Sequence, residues 1–195
     1  ERFKRKLYCN KLLRDKKQHS HLHNILEVGC GNGWQCARMC TLTGVTVTGI
    51  DINLLELEQA RQVFRDIPNL IFVEGDIRKG VVDGEKFDLI IFAASVQYFE
   101  SLVEILKTTL SHLTPQGEVH IIDSNLYQPY EIAEAMQRSK IYFTQLGFPE
   151  MQRYYFHHCI HDIELSRYSI LYNPRLLFNR LFRKRFFPWI VIKND

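Results

Sequence analysis

The sequence predicts one α/β domain, a three-layer αβα sandwich around a mostly parallel sheet, and three observations predict it. From Asn24 onward, short β-branched runs alternate with helical patterns, the signature of βαβ units whose strands are buried on both faces. A turn with glycines at 29, 31 and 33 follows the first run directly. Two acidic residues, Asp51 and Asp76, close the second and third runs, at the carboxyl edge where open parallel sheets hold ligands.

The elements follow in order. The first strand is expected at 25–28, a helix at 34–42, and a second strand at 45–50, where alternating Val, Thr and Ile favour extended chain and Gly44 separates the two. Asn53 is placed to cap the next helix with Glu56 as its capping-box partner; Leu54, Leu57, Ala60 and Phe64 form its apolar face and Pro68 marks its end. The third strand reads 70–73 and the fourth 87–92; a helix at about 100–113 precedes a Pro-Gln-Gly turn at 115–117, and the fifth strand is 118–122.

After Asp123 the rhythm changes. A long helical pattern covers 129–146, then come an aromatic, histidine-rich stretch and a short helix near 160–165. Strand candidates at 168–172 and 189–193 flank a basic segment, 175–185, whose Leu176, Leu177 and Leu181 predict a helix. Its Arg180, Arg183, Lys184 and Arg185 read either as a solvated helix face or as a contact for a phosphorylated or lipid-linked ligand. The whole of 1–195 is expected to be one domain, with an N-terminal helix over 1–23 and a substrate-lid insertion at about 125–158.

Composition bounds the possibilities. A chain of 195 residues, 46% hydrophobic, builds one domain with a substantial core and not two full catalytic domains. Lys and Arg number 25 against 22 acidic residues, and a net charge of +3 makes no case for nucleic acid or an anionic membrane. The apolar run at 186–192 falls far short of the roughly 20 residues a membrane-spanning helix needs. Five cysteines (Cys9, Cys30, Cys36, Cys40, Cys159) without a Cys-x-x-Cys pair match neither a disulfide scaffold nor a common zinc site, so a reducing cytoplasm is the expected compartment. His157 and His161 are four apart with Asp162 beside them, but no third well-spaced ligand joins them, and no metal is expected.

The glycine turn reads EVGCGNG, 27–33, where the chain must turn sharply and let a ligand approach its backbone. A dinucleotide fingerprint needs its third glycine three positions after the second; Gly33 follows Gly31 by two, and Trp34 stands at the expected place, which weakens a nicotinamide reading. Asp51 lies about 20 residues past the loop, where a carboxylate takes hydrogen bonds from both ribose hydroxyls of an adenosine. In EGDI, Asp76 is placed to accept from an adenine amino group and Ile77 to cover the ring.

Taken together, EVGCGNG, GIDIN, EGDI, FDLIIFAASVQYF and LTPQGEVHIID resemble the ordered motifs of class I, Rossmann-like S-adenosylmethionine-dependent methyltransferases, over roughly residues 25–123. The resemblance implies a seven-stranded sheet of order 3-2-1-4-5-7-6 with the last strand antiparallel, S-adenosylmethionine as cofactor and S-adenosylhomocysteine (SAH) as product. It implies that Gly29 and Gly31 lie against the methionine part, that Glu27 helps hold its amino group, that Asp51 binds the ribose, and that Asp76 with Ile77 recognises adenine. Cys30, Gly33, Ile52 and Ala93 complete the expected cofactor pocket.

For the acceptor, the fourth-strand end reads FAAS and not the Asn/Asp-Pro-Pro-aromatic motif of enzymes that methylate nucleic-acid amino groups. A small-molecule acceptor is expected, its pocket lined by Ser95, Gln97, Tyr98 and Tyr155. The ending FPWIVIKN faintly resembles methyltransferases of bacterial glycan biosynthesis, which points to a saccharide or its lipid- or nucleotide-linked precursor. His157 and His158 are the candidates for a general base, against a plainer reading as capping or core residues. Two other classes stay open at this point: an NAD(P)-dependent oxidoreductase on the same sheet, and a non-catalytic S-adenosylmethionine-binding domain.

Overall fold

A computed structural model of the chain describes residues 22–163, 167–177, 179 and 187–193. The expected helix over 1–23, apart from Leu22 and His23, and residues 180–185 of the basic segment lie outside them. The strands are β1 Asn24–Val28, β2 Thr46–Asp51, β3 Leu70–Glu74, β4 Phe87–Ala93, β5 Leu113–Ile122, β6 Arg167–Tyr172 and β7 Trp189–Lys193. The α-helices are α1 Trp34–Met39, α2 Leu54–Val63, α3 Leu102–Ser111 and α4 Ile132–Gln145.

The seven strands form one sheet in the order β3-β2-β1-β4-β5-β7-β6. Pairings are parallel from β3 through β5, and β7 runs antiparallel to both β5 and β6. Two apolar clusters occupy its two faces. On one, Leu26, Val28, Ile90, Phe92, Val119 and Ile121 pack with Leu102, Ile105 and Leu106 of α3. On the other, Ile25, Val47, Leu89 and Ile91 pack with Cys36 and Met39 of α1 and Leu57 of α2. This is the expected three-layer sandwich, and alternate residues of each central strand supply alternate layers.

Local chemistry sets the boundaries. Asn53 Oδ1 accepts from the Glu56 N–H at 3.4 Å, which starts α2, but the Asn53 N–H goes to Asp51 Oδ1 at 2.9 Å and leaves the Glu56 carboxylate to other uses. Ser101 caps α3 by accepting from the Glu104 N–H at 3.2 Å, so that helix starts at Leu102 and not at 100. The Pro-Gln-Gly segment is part of β5: the register against β4 jumps from Phe87↔Leu113 to Leu89↔Glu118, and the extra residues are accommodated as a bulge. The helical pattern at 129–146 divides into a 3-10 turn, Pro129–Glu131, and α4, with Glu131 Oε2 accepting the Gln128 N–H at 2.8 Å. A 3-10 turn, Ile160–Ile163, takes the place of the short helix expected near 160–165.

The antiparallel end of the sheet carries an ionic staple. Glu118 on β5 accepts from His120 Nε2 at 2.9 Å and pairs with Lys193 Nζ of β7 at 2.7 Å. The His120 hydrogen bond, followed by that of Lys193, lowers the Glu118 carboxyl to about 2 from an ordinary 4.5. A carboxyl more acidic in the folded chain than in the unfolded one contributes stability above pH 4.5 and loses it as pH falls from there towards 2. Glu118→Gln is therefore expected to flatten the dependence of melting temperature on pH across that window, measured by thermal unfolding. An unchanged slope would show that the staple does not link folding to protons.

Candidate active site

A cavity of about 600 Å³ opens at the carboxyl edge of β1, β2, β3 and β4, within the size range of small-molecule sites. At the end of β1 the chain enters the left-handed region at Gly29, with φ +75°. The Gly29 and Cys30 N–H groups both donate to the Ile50 carbonyl, at 2.8 and 3.1 Å, which ties the turn to β2. The Ser95 hydroxyl, just past β4, donates to the Val28 carbonyl at 2.5 Å and ties β1 to β4.

Asp51 is the central acid. Its Oδ2 accepts the Gly31 N–H at 2.7 Å and its Oδ1 the Asn53 N–H at 2.9 Å. A carboxylate has about four lone-pair sites, so each oxygen keeps acceptor capacity beyond the backbone N–H it holds, and Asp51 lines the cavity, as two vicinal hydroxyls need. Glu56, set free from the capping box, brings its Oε2 beside Gly31: a Cβ at that glycine would stand 2.5 Å from it.

Asp76 is more heavily committed. Arg78 Nε donates to both its oxygens at 3.0 Å, Nη2 to Oδ2 at 2.5 Å, and the Arg78 N–H to Oδ1 at 3.0 Å. This pairing, led by the side-chain hydrogen bond from Arg78, holds the carboxyl below its usual range. The same guanidinium lies 5.2 Å from the centroid of the Phe99 ring, so Arg78 reaches from the end of β3 to the turn after β4. Ala94, at the end of β4, and Asp123, at the end of β5, are non-glycine residues with positive φ, 57° and 53°. Such conformations concentrate at functional sites, and these two stand at adjacent strand ends.

The cavity brings together Gly29, Cys30, Gly31, Asp51, Ile52, Asp76, Ile77, Ala93, Ser95 and Tyr98 of the residues singled out from sequence. It does not include Glu27, Gly33, Gln97, Tyr155, His157 or His158 among its lining residues. Glu27 is fully buried behind the turn, where its Oε2 accepts from the Cys36 thiol at 2.9 Å; burial pushes that thiol well above its ordinary pKa. A Cβ on Gly33 would run into the Phe72 ring, so this glycine serves close packing of the turn on β3. Gln97 is a clamp: its Nε2 donates to the Ala94 carbonyl at 2.7 Å, its Oε1 accepts from Ser124 Oγ at 2.9 Å, and its own carbonyl accepts the Phe156 N–H at 2.8 Å.

The histidines belong to the segment above the sheet. His158 is 5% exposed and its Nε2 donates to the Val96 carbonyl at 3.0 Å, bracing the segment onto the turn after β4. His157 Nε2 lies 2.8 Å from Ser139 Oγ of α4, and its ring sits 5.3 Å from Tyr155 and 5.5 Å from Tyr127. Tyr155 in turn meets Tyr98 edge to face at 5.9 Å, so aromatic rings lead from the cavity lip to His157. Burial lowers the pKa of both histidines, which are neutral at pH 7.

Arg78, Gln35 and Phe99 also line the cavity and were missed as site residues from sequence. An arginine two positions after a strand-end aspartate was the signal for the first; nothing in the one-dimensional pattern marks Gln35, which sits on α1 between Trp34 and Cys36. No helix among the described residues is long and apolar enough to cross a membrane.

Residues 25–117 match the model of a family described as a methyltransferase domain. The malonyl-[acyl-carrier protein] O-methyltransferase of Halalkalibacterium halodurans is 28% identical over 134 residues, 66% of this chain and 48% of that protein. The demethylmenaquinone methyltransferase of Chlorobaculum tepidum is 33% identical over 99 residues, 51% and 40% of the two chains. The chain spans about half the length of such curated relatives, or less. Among solved structures, the plantazolicin methyltransferase BpumL in complex with a pentazolic desmethylPZN analog and SAH has a TM-score of 0.68 over 99% of this chain and 86% of that one. At 17% identity this last likeness is one of fold.

Proposed function

We propose that this chain, whose residues 25–117 match the methyltransferase-domain family, is a class I, Rossmann-like S-adenosylmethionine-dependent methyltransferase that moves a methyl group from S-adenosylmethionine to an oxygen or nitrogen of a small molecule. The observation that carries this reading is Asp51, which lines the cavity and whose two oxygens are each held by one backbone N–H with acceptor capacity left over. The residues present suit the cofactor. Asp51 takes the ribose hydroxyls, Ile52 and Ile77 flank the base, and Asp76 shares its carboxylate between Arg78 and the adenine amino group. Gly29, Cys30 and Gly31 let the amino-acid part lie against backbone, and Ala93 leaves room beside it.

When bound, the cofactor supplies a sulfonium methyl carbon open to in-line displacement, a reaction that needs alignment and exclusion of water more than a dedicated base. Tyr98, 52% exposed at the lip, and Tyr155 behind it offer ring faces on which a cyclic acceptor stacks. That platform suits a saccharide, and exposed Met136, Tyr142, Leu146 and Phe148 on and after α4 suit the apolar part of a lipid-linked precursor. The relatives named above are methyltransferases for malonyl-[acyl-carrier protein] and for demethylmenaquinone, which supports assigning acceptor choice to the segment after β5 and not to the shared sheet.

Of the two histidines, His157 is the one we propose as proton acceptor: the partner of its Nε2 is the Ser139 hydroxyl, which can rotate and pass a proton on, whereas His158 is 5% exposed and its Nε2 is fixed as a donor by the Val96 carbonyl. Ser139 Oγ faces the His157 Nε2 at 2.8 Å, the Tyr127 and Tyr155 rings pack beside it, and burial lowers its pKa from the ordinary imidazole value.

Calorimetry with S-adenosylmethionine, SAH and NAD tests the cofactor assignment: binding of the first two and not the third is expected, and tight NAD binding alone would reverse it. Labelled cofactor incubated with fractionated extracts then identifies the acceptor. His157→Gln is expected to lower turnover at least about tenfold with SAH affinity unchanged, within the range of a general base. Unchanged turnover sinks the base assignment.

A further inference from the structure

Gln35 is the least explained polar side chain near the cavity. The residue is 2% exposed and lines the cavity next to the glycine turn, yet neither its Nε2 nor its Oε1 has a hydrogen-bond partner among the described residues. A buried carboxamide carries two donors and an acceptor, and leaving them unmatched is unfavourable enough that native structures rarely do it without a reason. The other buried residues of α1, Cys36 and Met39, are both in the apolar core, so Gln35 is the buried polar side chain of that helix.

The charges around the cavity indicate the missing partner. Its lining contains three carboxylates, Asp51, Glu56 and Asp76, and Arg78 as its cation, which is committed to Asp76. A ligand ammonium therefore finds acids on offer, whereas a ligand carboxylate finds no free cation in that lining. The strand order places Asp76 on the β3 side and Asp51 at β2, so a nucleoside held by those two acids sends the remainder of the molecule over β1 and β4. There the turn after β1 leads directly into Gln35.

Resting on the methyltransferase reading above, we infer that Gln35 is a cofactor-binding residue whose carboxamide, closed off from solvent in the ligand-free chain, turns to donate its Nε2 hydrogen to the carboxylate of the amino-acid end when the cofactor binds. A neutral donor suits a site already rich in acids, because it holds the carboxylate without placing a strong cation near the sulfonium of the methyl donor.

The test compares three ligands by calorimetry on the full chain: SAH, its decarboxylated form, which keeps the amine, and 5′-methylthioadenosine, which lacks the amino-acid end altogether. Gln35→Met keeps the side-chain volume and removes both polar ends. It is expected to weaken SAH about tenfold, to leave the other two ligands within about twofold, and to raise the melting temperature of the ligand-free protein, since a buried unmatched group has gone. Gln35→Glu, which sets a negative charge against the ligand carboxylate, is expected to weaken SAH more than Gln35→Met does. Gln35→Leu gives the same comparison should Gln35→Met not fold. Equal losses for SAH and the decarboxylated form, or no loss for either, would overturn the inference. Wild-type protein that binds neither SAH nor methylthioadenosine would instead overturn the methyltransferase reading on which it rests.

Discussion

Asp51→Ala is expected to weaken SAH binding by about 100-fold or more, the largest loss of affinity from any single replacement in the cavity. A hydrogen bond to a charged carboxylate contributes about 1.5–3 kcal/mol, and two ribose hydroxyls would lose one each, about 3–6 kcal/mol in sum. At about 1.4 kcal/mol per tenfold, that alone spans roughly 100-fold to 10,000-fold. The replacement also frees the Gly31 and Asn53 N–H groups that the two carboxylate oxygens hold at 2.7 and 2.9 Å, so the glycine turn loses one of its anchors to β2 and keeps the Ile50 carbonyl. Asp51→Asn separates these contributions, since its remaining carbonyl oxygen still accepts from Gly31 or from one hydroxyl, and it is expected to fall between wild type and Asp51→Ala. Calorimetry with SAH, alongside melting curves showing that both variants fold, decides the matter. Affinity within about threefold of wild type for Asp51→Ala would mean that the ribose is held elsewhere.

How much of this was legible in the sequence depends on whether a feature is local. The strand ends, the Asn53 cap and the acids at 51 and 76 follow from short-range pattern, and the structure places them as read. The swap of β7 and β6 in the sheet order came through family resemblance, because no periodicity reports which strand lies beside which. What escaped was set by competition among several partners for the same polar group. Glu56 reads as a capping-box residue until Asp51, two positions before the cap, takes the Asn53 N–H first. Asp76 reads as an open acceptor until Arg78 folds back on it. His158 and Gln97 read as site residues because they are polar and near the expected pocket. Burial and two backbone carbonyls, Val96 and Ala94, turn them into braces between β4 and the segment above it.

The same distinction governs the second large effect, Gly29→Ala. From sequence this glycine stands where a ligand approaches the backbone, but the structure gives a nearer reason for the missing side chain. Its φ is +75°, and a Cβ would stand 2.5 Å from Ser95 Cβ, on the residue whose hydroxyl locks the Val28 carbonyl. Left-handed backbone costs alanine about 1–2 kcal/mol, and an added methyl in a packed contact about 1–3 kcal/mol more. A destabilisation of about 2–5 kcal/mol is expected, a fall in melting temperature of roughly 4–20 °C for a domain of this size. Because the clash lies between the ends of β1 and β4, it forces apart the two strands that seat the cavity, and SAH affinity is expected to fall with stability. Ser95→Gly removes the obstructing Cβ but also the Val28 hydrogen bond. If packing dominates, Gly29→Ala combined with Ser95→Gly is more stable than the sum of the single changes predicts, by about 1 kcal/mol or more. Strict additivity in that cycle, measured by denaturant unfolding, would assign the whole effect to backbone strain at position 29 and remove Ser95 from the explanation.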